Sequence, residues 1–366
     1  MKKAGDLSSD RLLTYNRRPD WQALHSYCQA GVNAGPNTAL ERKTPMPKTF
    51  FTHPLVLSIV LAMLFGSGAR SVFCADADAS KTAGQSKTAG HPFAGADYSQ
   101  AKAFVVSSEG KIEWEYPAPE CNDVWALPNG NLLFGTGHGV KEVTRDKKVV
   151  FCYESKSEIY ACQRLANGNT FIGECNTARL LEVDPTGKIV KELRLLPEGQ
   201  DGGHAYMRNA RRLENGNYLV AHLGSQVVRE YDPQGKVVLE IPATGGPHSV
   251  VRLPNGNTLI SCGDFPGGSR VFEADKTGRT VWQVAQEELP GIRLAFMAGL
   301  QRLPNGNTVI CNWLGHGQFG KGPHLIEVTP DKKVVWTFAD HNQMKTISSV
   351  QLLDVPGDAI RGEVLR

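Results

Sequence analysis

Hydrophobic and polar residues alternate along most of this chain in short runs, and the runs are broken by the same punctuation over and over. HSVVRL at 248–253 alternates before one break, and TLISC at 258–262 alternates after it. Period-two alternation over so few residues predicts half-buried strands. The break is Leu-x-Asn-Gly-Asn, which occurs five times, at 127–131, 165–169, 213–217, 253–257 and 303–307. Successive leucines lie 38, 48, 40 and 50 residues apart, a spacing that strand-built repeats share with propeller blades.

Asn-Gly between two strands predicts a two-residue hairpin of type I′, whose central positions both need positive φ. A second turn follows in each unit. It reads DPTG at 184–187, DPQG at 232–235 and DKTG at 275–278, and more loosely RDKK at 145–148 and PDKK at 330–333. Asp and Gly at the ends of a four-residue turn suit the chain reversal. Each unit is therefore four antiparallel strands, A to D.

The two ends of the repeat region complete the count. Residues 101–116 (AKAFVVSSEGKIEWEY) match strands C and D of the last full unit, 325–338 (LIEVTPDKKVVWTF). Residues 346–366 supply an A-like strand at 348–353, a turn at Pro356-Gly357 and a B-like strand. The expected fold is all-β: a six-bladed β-propeller, four antiparallel strands per blade, with the last blade shared between N- and C-terminal strands. Sharing a blade closes the ring and removes an open sheet edge. A column four residues after each C–D turn reads Trp114, Phe151, Lys191, Leu239, Trp282 and Trp336, which predicts packing between blades, with Lys191 the exception.

The first hundred residues break the pattern. Residues 1–45 have neither period and read as a disordered or mis-assigned start. A signal peptide is expected over 46–77: Lys48 gives a positive start, 55–65 an apolar stretch, and Ala75-Asp76-Ala77 the small-x-small cleavage form. The apolar stretch falls short of the about 20 residues of a membrane span, so no stable span is expected after cleavage. Residues 78–100, rich in Ala, Ser, Thr, Lys and Gly, read as a linker, and 101–366 as the propeller. Export makes the protein periplasmic or secreted. In that compartment Cys121, Cys152, Cys162, Cys175, Cys262 and Cys311 could pair or stay buried as thiols.

Composition adds two exclusions. The chain of 366 residues is 41% hydrophobic with 38 glycines, which fits a sizeable core with many tight turns. Its net charge of +3, without a basic stripe, argues against nucleic acid. The lack of CxxC pairs argues against a zinc ribbon.

Segments such as HSVVRLPNGNTLISCG followed by DKTGRTVWQ resemble the bacterial exported propeller proteins of the quinoprotein-like and arylsulfotransferase-like group. The resemblance covers roughly 101–366 and rests on structural turns. It implies the propeller fold. Quinone-dependent members of that group imply eight blades, tryptophan-docking repeats and a calcium site. Here only 274–282 approaches such a repeat and no vicinal cysteines occur, so pyrroloquinoline quinone is not expected. The arylsulfotransferases imply a channel histidine as sulfuryl acceptor.

The topology sorts loops to two faces: short repeated A–B and C–D turns on one, variable D–A and B–C connections on the other. Variable loops on a rigid scaffold are where binding resides. The D–A segments bring Asn122, Tyr160, His204, Tyr206, Arg208, Asn209 and His248 to that face. The B–C segments bring His138, Glu174, His222, Asp264, Asn312, Trp313, His316 and His324. Three readings follow. The first is a module gripping a small-molecule ligand or an extracytoplasmic protein, with Asn122, His138, Tyr160, Asn209, His222, Asp264, Asn312 and Trp313 as candidate contacts. The second is an arylsulfotransferase-like enzyme with His204 or His248 as nucleophile and Arg208 neutralising sulfuryl oxygens. The third is a metal-dependent hydrolase or lyase holding Zn²⁺ on His138, His204 and His248, or Ca²⁺ on Asn and Asp side chains.

Overall fold

The computed structural model describes residues 90–263 and 265–366. The expected start and signal peptide, most of the expected linker and Asp264 lie outside the described residues. Six four-stranded antiparallel sheets make the six blades of a propeller. Blade 1 is β4–β7 (Val124–Ala126, Leu132–Gly135, Gly139–Val143, Val149–Glu154). Blade 2 is β8–β11 (Ile159–Arg164, Thr170–Glu174, Arg179–Val183, Ile189–Arg194). Blade 3 is β12–β15 (Ala210–Arg212, Tyr218–His222, Val227–Tyr231, Val237–Pro242). Blade 4 is β16–β19 (Pro247–Arg252, Thr258–Cys262, Arg270–Ala274, Thr280–Ala285). Blade 5 is β20–β23 (Met297–Arg302, Thr308–Asn312, Leu325–Val328, Val334–Phe338). No helix among the described residues is long and apolar enough to cross a membrane.

Blade 6 is shared between the ends, but one strand against three rather than two against two. Its order is β24 (Ile347–Leu352), β1 (Phe93–Asp97), β2 (Lys102–Val106), β3 (Ile112–Pro117). Residues 93–97, expected to be linker, form the B strand. They pair with β24 from Phe93↔Leu352 to Asp97↔Ile347. The B-like strand expected after Gly357 does not form. Residues 353–366 instead run beneath the blades, bury Ala359 and Val364, and form one backbone bridge with a blade strand, Arg302↔Leu365.

The Asn-Gly turns differ from expectation in type. In all five, only glycine has positive φ (Gly130, Gly168, Gly216, Gly256, Gly306). Gly130 N–H donates to Leu127 O at 2.9 Å, and Leu127 N–H donates to Asn131 O at 2.9 Å. This is a three-residue loop, a type I turn whose left-handed glycine makes a bulge. It explains why Pro128, Pro254 and Pro304 occupy the variable position, since proline suits the second residue of a type I turn. The first asparagine secures the bend, with Asn129 Oδ1 accepting from Asn131 N–H at 3.0 Å. The looser C–D turns are the same device shifted by one residue, with Lys147 and Lys332 left-handed in place of glycine.

In four of the motifs, at Asn131, Asn217, Asn257 and Asn307, the second asparagine reaches a glutamate on its own C strand, and that glutamate reaches the next blade. Asn217 Nδ2 donates to Glu230 at 2.6 Å, and Arg252 of blade 4 donates to the other carboxylate oxygen at 2.6 Å. Glu142–Arg164, Glu182–Arg212 and Glu273–Arg302 repeat the pair at three other seams. At the seam into blade 6, His91 replaces arginine opposite Glu327, at 3.1 Å, and holds Asp354 at 2.7 Å with its other nitrogen. The sixth seam has Val105 facing that position and is joined by Gln351, which bonds both backbone groups of Ala126.

The aromatic column packs between blades as its spacing implies. Trp114 Nε1 donates to Arg145 O and Trp282 Nε1 to Pro330 O, each in the next blade. Lys191 is not an exception in effect: its ammonium sits 5.6 Å from the centre of the Tyr218 ring in blade 3. Cys121, Cys162, Cys175, Cys262 and Cys311 are buried free thiols, and burial pushes Cys262 and Cys311 up to about 12. Cys152 is disulfide-bonded.

Candidate functional site

The A strands line the central channel, and the D–A connections that lead into them ring its mouth. Arg208 is buried at the end of the long connection into blade 3. Its guanidinium lies 4.2 Å from the Tyr160 ring centre, donates to the His204 carbonyl, and comes within 3.0 Å of His204 Nε2. His204 projects outward, with its side chain 62% exposed, and its Nδ1 meets Glu158 at 2.7 Å. Burial works to raise the Glu158 carboxyl, but the hydrogen bond and charge of His204 outweigh it and hold the group low. Two of the three proposed catalytic residues are thus in direct contact.

His248, the third, opens the A strand of blade 4. Burial, with the charge of Arg208 added, pushes it down to about 3, so it is neutral at physiological pH. Its ring meets Phe296 edge-on at 5.4 Å. Phe296 meets Trp313 at 5.2 Å, Trp313 meets His316 at 5.0 Å, and Trp313 meets Tyr98 at 6.2 Å. Tyr98 ends the row. Burial raises its hydroxyl, the charges of Glu120 and Glu158 raise it further, and the charge of Arg208 works against them. The result is a collar of rings at the mouth, running from His248 to Tyr98, with Tyr160 sharing a lining with His248 and carrying the Arg208, His204 and Glu158 group beside it.

Below the collar the channel is filled. The space lined by Asn122, Asp123, Tyr160, Asn209, Arg211 and His248 amounts to about 10 Å³, room for roughly one water. Asn122 and Asn209 thus line this small space below the collar. Asn209 accepts from Arg211 in its satisfied amide orientation.

Several expected contacts are structural instead. His222 is fully buried between Tyr206 O at 3.0 Å and the Tyr231 hydroxyl at 2.8 Å. His324 lies against Lys345 O at 3.3 Å. Asn312 ties Ala295, Arg293 and Pro323 together through backbone bonds. Glu174 is enclosed by Tyr153, Ser155, Thr177 and Arg179. Tyr206 lies against His222, away from the Arg208 group's partners. His138 binds the Ser157 carbonyl at 3.1 Å. Among the described residues no three His, Cys, Asp or Glu groups come together to hold a metal, so His138, His204 and His248 are not one ligand set.

Sequence reasoning missed Tyr98, Glu120, Glu158 and Phe296. Glu158 and Phe296 each sit just before an A strand, as His204 and Arg208 do, and that position was the available signal.

The buried histidines set an acid response. His222 and His324 are pushed down to about 4, chiefly by burial, and His248 to about 3. Their folded values lie below the unfolded value, so their stabilisation is complete above about pH 6.5 and is lost as pH falls toward 4. Each should contribute a slope approaching about 1.4 kcal/mol per pH unit over that window. Urea midpoints between pH 6.5 and 5 should fall steeply, and His222→Phe should flatten the slope by about one proton. An unchanged slope would show that His222 titrates alike in both states.

The sequence matches the family model described as Mal s 1 allergenic protein-like over residues 73–333. No curated protein matches it. Among solved structures, a protein of unknown function from Bacteroides caccae is 30% identical, with a TM-score of 0.64, and the match covers 71% of this chain and 98% of that one. A streptogramin B lyase is 13% identical with a TM-score of 0.50, over 68% of this chain and 80% of that one. The WD40 propeller domain of Doa1 is likewise 13% identical at 0.50, over 75% and 88%. The last two likenesses concern the fold alone.

Proposed function

The chain belongs to the Mal s 1 allergenic protein-like family, and from that premise we propose that it is a binding propeller, acting outside the cytoplasm, whose channel mouth holds a small ligand with a planar ring. The observation that carries this reading is the collar: the half-buried rings of Tyr98 and Trp313 meet edge-on at the mouth, backed by the buried rings of Phe296, His248 and Tyr160. Stacking and edge-on contacts favour a flat apolar body. The Arg208, His204 and Glu158 group gives that body polar contacts along one side. The filled channel keeps the ligand at the mouth.

Trp313→Ala and Arg208→Met should each weaken binding of ring-bearing fragments about tenfold, near 1.4 kcal/mol. Saturation-transfer NMR with indole, 4-nitrophenyl sulfate and an aliphatic fragment of similar size reads this directly. Lys276→Ala, on the opposite face, should bind as the parent does. Equal binding by all variants, or a preference for the aliphatic fragment, would remove the collar from the function.

A second reading, arylsulfotransferase-like catalysis, is favoured by one observation: the exposed His204 ring meets the Glu158 carboxylate through Nδ1 at 2.7 Å and the Arg208 guanidinium through Nε2 at 3.0 Å, an oriented imidazole beside a cation that could neutralise sulfuryl oxygens. Sulfuryl transfer from 4-nitrophenyl sulfate to phenol, compared with His248→Ala and His204→Ala, tests it. Equal rates in the three proteins eliminate both histidines.

A further inference from the structure

The floor of the channel holds a buried charge cluster that the collar does not use. Asp123 supplies its carboxylate side chain, and Arg211 Nε also donates to the Arg366 backbone oxygen at 2.9 Å. Arg211 of blade 3 binds it through Nη1 at 2.7 Å and Nη2 at 3.2 Å. Arg366, rising from the segment beneath the blades, approaches the same carboxylate through Nη2 at 3.2 Å. Arg366 Nε donates to Val350 O at 3.0 Å, and Nη2 also donates to Ser349 Oγ. Its guanidinium lies 4.3 Å from the centre of the Trp125 ring, and that of Arg211 lies 4.9 Å from it.

One carboxylate oxygen, one hydroxyl, one carbonyl and an indole face form a cradle shaped for a planar cation with several N–H donors. A compact ammonium could not stack on the indole and reach all three acceptors at once. We propose that the channel floor is a guanidinium-binding site that Arg366 fills in cis, so that a guanidinium compound from solution binds there when the Arg366 side chain is absent.

Two features make this occupant replaceable rather than a required part of the ring. Arg366 Nη1 is buried without a hydrogen-bond partner among the described residues. Arg366 also shares the Asp123 carboxylate with Arg211; burial pushes its guanidinium down to about 10 despite Asp123, and Arg211 pushes the same way. The segment that carries it is held by apolar contacts of its own, from Ala359 and Val364, so removing the arginine side chain leaves the segment anchored.

The test uses the full chain with Arg366→Ala, and millimolar ethylguanidinium and ethylammonium as probes, far below denaturing concentrations. Ethylguanidinium should raise the Tm of the variant by about 2–3 °C at tenfold excess over its Kd. It should leave the parent protein unshifted, and ethylammonium should shift neither. Equal shifts in variant and parent, or equal effects of the two cations, would overturn the proposal. Should the variant not fold unaided, refolding yield with each cation gives the reading instead. A yield that ethylguanidinium does not raise would overturn it as well.

Discussion

Asp123→Ala should lower the unfolding free energy by about 3–5 kcal/mol, the cost of leaving buried charge without its partner. The carboxylate is 1% exposed and holds Arg211 and Arg366 together at the centre of the wheel. It also accepts the Cys162 backbone N–H at 3.1 Å, which ties blade 1 to blade 2. Without it, two guanidiniums share one indole and lose the carboxylate side chain between them. The double variant Asp123→Ala with Arg211→Met should lose less than the single one, because it removes one of the stranded cations. Urea denaturation decides both points. A single-variant loss below about 1 kcal/mol would mean that water reaches the cluster and screens it.

Phe93→Ala should cost about 3–5 kcal/mol, the usual range for deleting a buried phenylalanine. Phe93 is fully buried and meets Phe104 of its own blade at 6.1 Å and Phe338 of blade 5 at 5.0 Å. A linker residue would instead change stability by within about 0.5 kcal/mol. The same urea titration therefore separates the one-against-three closure from the two-against-two closure expected from the repeat. Loss of the aromatic contacts should also loosen β24, so hydrogen exchange should quicken at Val350 and Leu352.

That difference shows where the sequence is legible. Leu-x-Asn-Gly-Asn recurs because its turn, the glutamate beside it and the next blade's arginine, or His91 at the seam into blade 6, form one unit, so the blades announce themselves five times. The closing strand reads FAGAD and announces nothing. Its small residues have a physical reason: a Cβ on Gly95 would lie 2.7 Å from the Phe104 ring across the sheet. Space taken by Phe104 removes the β-branched residues by which a strand is recognised. The site was legible in part for a similar reason. His204, Arg208 and Asn209 share one loop, so their association shows in the chain. Tyr98, Glu158 and Phe296 come from three separate blades, and only closure of the ring makes them neighbours. His222 and Asn312 carry functional-looking chemistry but spend it on backbone groups, which burial rather than residue type decides.

The pairing of β1 with β24 also sets an order of events during synthesis. Phe93 leaves the ribosome 259 residues before its partner Leu352, an interval of roughly 10–50 s at ordinary translation rates. Throughout that time the inner edge of β1 offers unsatisfied amides and carbonyls to any neighbouring chain. A nascent polypeptide must therefore guard this edge, and the last strand to emerge ends its exposure.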